Sequence, residues 1–88
     1  MEKNNRIKIT YAKNSLELQA KGMRIGENED EFQIEFADIK KKNEQIEAII
    51  SAKIQVSPRF LLAITERLIN AGKAYEKKYE KKIGFDKF

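Results

Sequence analysis

The sequence predicts an α+β fold: a four-stranded antiparallel β-meander followed by one long C-terminal α-helix packed on the sheet. Two periodicities carry this reading. Up to Val56, apolar residues recur at every second position, the spacing of a half-buried strand; from Leu61 they recur every three or four, the spacing of a helix with one buried side. The pair Ser57-Pro58 stands between the two regimes. The chain reads as a single domain over 1–88, with a sheet in 1–56, a helix in 57–83 and a tail in 84–88.

The first strand is predicted from Ile7, Ile9 and Tyr11, which alternate with Arg6, Lys8 and Thr10. Ala12-Lys13-Asn14-Ser15 has turn chemistry, and Leu16, Leu18 and Ala20 then alternate with Glu17, Gln19 and Lys21, so the two runs read as a hairpin. Met23 and Ile25 follow Gly22 in shifted phase, which suggests a bulge with the strand continuing beyond it. After the polar turn Gly26–Asp30 comes a third strand, Phe32, Ile34 and Phe36, and then a loop over 38–45 that contains Lys40, Lys41 and Lys42. In the fourth strand Ile46, Ala48, Ile50, Ala52, Ile54 and Val56 share one face, with Ile49 the single apolar residue on the other.

Ser57 has a side-chain oxygen suited to capping the first amides of a helix, and Pro58 suits the first helical position. Leu61, Ile64, Leu68, Ala71 and Tyr75 form the stripe expected to cover the sheet, with Tyr79 one turn further. Gly72 lies beside that stripe, where a missing side chain permits close approach to the sheet, and Gly84 is the expected stop.

Composition narrows the function. A chain of 88 residues buries only about 60–65% of its unfolded surface when compact, so its stability margin is thin. Without Cys it has no disulfide staples and no thiolate metal site; pairing with a second copy is the remaining inexpensive source of stability. No apolar run is long enough for a membrane span, and the first ten residues lack the apolar centre of an export signal, so a cytoplasmic location is expected. The net charge of +4 is unevenly placed: residues 1–56 carry ten basic and ten acidic residues, residues 57–88 eight and four.

The stretch from Glu31 to Gly84 resembles a family of small bacterial and archaeal proteins known only as a domain of unknown function. The resemblance lies in Glu31-Phe32, Glu35-Phe36, the alternating run Ala52–Val56, Ser57-Pro58, Leu61-Leu62, Leu68, Tyr75-Glu76 and Gly84. Where that family has a loop with Pro or Gly, this chain has Lys-Lys-Lys-Asn, and its first hairpin is longer. The resemblance implies a compact sheet-plus-helix unit and no particular activity. The plan of four strands and a helix is also shared with single-stranded nucleic-acid-binding modules that pair two such units, an analogy of architecture alone.

The chain has no His and no Cys, the most common general base and the best nucleophile, and Ser57 is better explained as a cap. A non-enzymatic role without a cofactor is expected. The acidic turn Glu27–Glu31 lacks calcium-loop spacing and reads as a solvated turn beside a sheet edge. Lys73, Lys77 and Lys81 recur at every fourth position, with Lys78 and Lys82 alongside, and such a ridge can follow a phosphate backbone. With Lys40, Lys41 and Lys42 they are the expected contacts to RNA or a ribonucleoprotein particle. Leu62, Ile69 and Ile49 fall off the core pattern and, with Phe85 and Phe88, are the expected surface for a homodimer. In the alternative reading the same surface receives a different protein, and the chain is an adaptor or inhibitor.

Overall fold

The structure is a computed structural model and describes residues 7–88. Three strands, β1 (Gly22–Glu27), β2 (Phe32–Lys42) and β3 (Gln45–Val56), form an antiparallel sheet in the order β1-β2-β3. One helix, α1 (Pro58–Tyr79), follows, and a single 3₁₀ turn spans Phe85–Lys87. The α+β class and the C-terminal helix match the sequence reading; the sheet has three strands, and the fourth is not seen.

The missing strand is the first hairpin. Its turn forms, with the Ser15 N–H donating to the Ala12 carbonyl at 3.0 Å, yet among the described residues the limbs beside it form no ladder, and the second touches the sheet only at its end, where the Lys21 N–H donates to the Ala37 carbonyl at 2.9 Å. Ile9 is 82% exposed and Tyr11 88%. Alternation makes a stable strand only where another layer takes up the apolar face, and among the described residues none lies over these limbs. Only the part from Gly22 onward joins the sheet as a strand, β1. Arg6, placed in the first strand by its pattern, lies outside the described residues.

The segment expected as a loop over 38–45 is strand on both sides of a two-residue turn. Lys40, Lys41 and Lys42 pair with Glu47, Ile46 and Gln45, and Asn43 takes φ 58°, the left-handed conformation tight hairpin turns require and Asn tolerates. The β1–β2 turn is closed by Asn28, whose Oδ1 accepts from the N–H of Asp30 and of Glu31 at 2.8 and 3.0 Å.

A bulge corrects the reading of the last strand. Phe36 pairs with Ala52 and Ala37 with Ile50, so Ser51 has no partner across the ladder, and its hydroxyl donates to the Phe36 carbonyl at 3.2 Å. One unpaired residue reverses the alternation. Ala52, Ile54 and Val56 therefore share a face with Phe32, Ile34 and Phe36, whereas Ile46, Ala48 and Ile50 share the opposite face with Ala37 and Ile39. Ile49 joins the first face, opposite Asp38.

The start of α1 is as expected. Ser57 Oγ accepts from the Phe60 N–H at 3.1 Å, and Pro58 opens the first turn. Its end comes earlier than 83. Glu80 turns into the left-handed region (φ 52°, ψ 48°), and the N–H groups of Glu80 and Lys81 both donate to the Glu76 carbonyl.

The helix does not lie on the sheet. Leu68 is 64% exposed and Tyr75 41%, and the buried apolar side chains among the described residues are Ile34, Ala37 and Val56. The cause is the connection: Ser57 alone, extended at φ −69° and ψ 158°, separates β3 from α1. A residue before proline is held extended, so one such residue gives no room to fold the helix back. The radius of gyration is 17.3 Å. A compact domain of this length has about 12 Å.

Candidate functional site

The basic end of α1 is organised around Glu76. Its Oε2 accepts from three successive backbone N–H groups, Ile83 at 2.5 Å, Gly84 at 2.7 Å and Phe85 at 3.2 Å. This turns the chain back along the helix and lays the Phe85 ring on Gly72. A Cβ at position 72 would fall inside van der Waals contact with Cγ and Cδ1 of that ring. The close approach expected at Gly72 is therefore to the tail and not to the sheet. Phe85, expected at an interface with another chain, is half-buried against its own helix. The bonds to Gly84 and Ile83 hold the Glu76 carboxyl below the ordinary carboxylate range, opposed by partial desolvation and assisted by Phe85 and Lys82.

Around this turn Lys73, Lys77, Lys81 and Lys82 line one open hollow of about 450 Å³ together with Glu76 and Asp86. Lys73 donates through Nζ to the Phe88 carbonyl at 2.9 Å. The only ion pairs among the described residues are Arg24–Glu35 at 2.6 Å and Lys21–Asp38 at 4.0 Å, so no lysine of this end forms an ion pair with a described carboxylate. Lys78 stands apart, with its Nζ 5.3 Å from the centre of the Tyr79 ring. At about 100° per residue, Lys77 projects about 160° away from Tyr75, so Lys73 and Lys77 lie on the side of α1 opposite Tyr75; Lys81 and Lys82 lie beyond the helix end, and the expected helical ridge stops at Lys77.

Lys40, Lys41 and Lys42 do not join this cluster. They lie at the β2–β3 turn, the end of the sheet opposite Val56, from which α1 departs. Of the residues expected at a partner surface, Leu62 is 60% exposed, Ile49 and Phe88 are exposed, and Ile69 is half-buried. The rings of Tyr75 and Tyr79 lie 5.1 Å apart between centres, tilted by 48°, and both remain exposed.

Two arrangements escaped the sequence reading. The Glu76 anchor needs three backbone amides brought back by a turn, and a sequence carries no periodic signal for that. Arg24, Glu35 and Lys53 form a cross-strand row, each directly paired with the next, and the Arg24 hydrogen bond holds the Glu35 carboxyl below its ordinary range. This row was in principle readable from opposite charges, once the register was known.

No described helix is long and apolar enough to cross a membrane. Comparison of the chain with family models, with curated proteins and with solved structures finds no match.

Proposed function

We propose that this chain is a small non-enzymatic binding module that engages the phosphate backbone of a nucleic acid, RNA foremost, through the basic end of α1. The reading is supported by one observation above the rest. Lys73, Lys77, Lys81 and Lys82 surround a single open hollow, and none is neutralised by a carboxylate within ion-pair distance among the described residues. Of the two carboxylates that line it, Glu76 has its Oε2 committed to backbone amides, and Asp86 makes no ion pair among the described residues. Unpaired ammonium groups along an anionic polymer release condensed counterions, and that release drives binding. Lysines give affinity and register and read little sequence. Lys40, Lys41 and Lys42, at the far end of the sheet, belong to this contact only where the polymer is long enough to reach them.

The test is fluorescence anisotropy with a labelled single-stranded RNA of mixed sequence, titrated at several salt concentrations. Three or four phosphate contacts give a log–log salt slope of roughly −2 to −3 for a single strand. The double substitution Lys77→Glu/Lys81→Glu is expected to weaken binding at least tenfold and to flatten that slope. Equal retention of RNA by the double variant at every salt concentration overturns the reading. A pull-down from lysate whose captured partner survives nuclease favours the adaptor reading.

A further inference from the structure

The chain exposes far more surface than its size requires. Its accessible area is 8852 Å², whereas a folded 10.3 kDa protein exposes about 5,400 Å². Part of the surplus belongs to residues 7–20, all of which are exposed. If a quarter of it is removed from each of two chains, the total is roughly 1,700 Å², the size of a standard specific interface.

The surplus also has a pattern. On the sheet, Met23, Ile25 and Ile54 share the face of Ile34 and are 59%, 49% and 47% exposed. On the helix, Leu68, Tyr75 and Tyr79 are uncovered along one line. These are the two surfaces that a layer of helix on sheet puts together, and the single-residue connection at Ser57 holds them apart within one chain. Short connections of this kind favour exchange of an identical element between copies, and exchange closes with two-fold symmetry.

We infer that the occupant of both surfaces is a second copy of this chain, in an arrangement where each helix covers the partner's sheet. Leu68 and Tyr75 of one copy lie against Met23, Ile25 and Ile54 of the other. Ile49, moved onto this face by the bulge, extends the contact. The area needed, the matching of the two uncovered surfaces and the rigid connection all point to this occupant over an unrelated protein. Lys73 and Lys77 lie on the side of α1 away from the contact, so each dimer presents two basic ends. The inference stands independently of what those lysines bind.

Sedimentation equilibrium of the unaltered chain at micromolar concentration is expected to give twice the chain mass; the mass of one chain overturns the inference. The absence of Cys allows a second, more specific experiment. Leu68→Cys and Ile25→Cys chains, one carrying an affinity tag, are mixed, unfolded, refolded together and treated with a short bismaleimide. A covalent pair containing one chain of each kind is expected as the main product. Linkage only between two Leu68→Cys chains, or no linkage, overturns the exchange. So does a chain carrying both substitutions that links mainly within itself at high dilution.

Discussion

Glu76 has more structural consequence than any other side chain of α1. Because the folded carboxyl titrates below its ordinary value, its hold on Ile83, Gly84 and Phe85 is fully present above about pH 4.3, the unfolded value. It is lost as pH falls through the lower folded value. Amide resonances of these three residues should therefore move together towards unbonded positions on acidification, and in Glu76→Gln they should show no such titration. Gly72 sets two effects of similar size against each other. Gly72→Ala gains about 1 kcal/mol of helix propensity and ejects the Phe85 ring, whose half-buried packing contributes a comparable amount. The net change in stability should stay within about 1 kcal/mol while proteolysis of the tail accelerates; an unchanged tail would show that the ring does not occupy that site. The sequence marked Gly72 as a place of close approach and left its neighbour open, because what approaches a glycine is decided by a turn twelve residues further on.

At the scale of elements, local chemistry was legible where one residue acts on its own backbone. Ser57 caps α1 as its type and position imply, and Ser57→Ala should cost about 1 kcal/mol in chemical denaturation with helix content little changed before the transition. The helix end was read too far along because Gly84 is the conspicuous stop. The actual stop is Glu80, held left-handed by bonds to the Glu76 carbonyl. Such a conformation costs a non-glycine residue about 1 kcal/mol, so Glu80→Gly is expected to raise the denaturation midpoint slightly. In β3, six apolar residues at even positions looked like one ridge. The bulge at Ser51 divides them between faces, and its only sequence signal was the apolar Ile49 at an odd position. The interval from Asp38 to Gln45 looked like a loop because three consecutive lysines are poor strand formers. Strand pairing across a tight turn at Asn43 prevailed over that propensity.

At the scale of the whole molecule, the connection between β3 and α1 governs what the surfaces do. An insertion of six Gly/Ser residues between Val56 and Ser57 keeps the cap and releases the helix. Such a chain is expected to sediment as a monomer with its helix on its own sheet. A variant that remains dimeric with the same cross-links would show that something other than the connection sets the exchange. The same frame separates affinity from assembly: Lys77→Glu/Lys81→Glu should alter nucleic-acid binding and leave the sedimenting mass unchanged, since Lys77 projects about 160° from Tyr75 and Lys81 lies beyond the helix end. The spacing of four showed Lys73 and Lys77 on one side of the helix, but Lys81 lies past the helix end and is brought beside them by the turn that follows. That Lys78 stands apart from them, and that Lys40, Lys41 and Lys42 stand at the opposite end of the sheet, was not visible in the sequence.

By itself the sequence determined the α+β class, the site and chemistry of the helix start, the amphipathic line of α1 and the concentration of positive charge at its end. Each of these depends on residues within a few positions of one another, where propensity and periodicity act directly. Only the tertiary structure decided that the first hairpin forms no ladder among the described residues, that a bulge splits the apolar ridge of β3, that the tail and not the sheet meets Gly72, and that the helix stands off its own sheet. Those outcomes turn on which surfaces the backbone can bring together, and a single extended residue before a proline settles that in a way no pattern of apolar positions records.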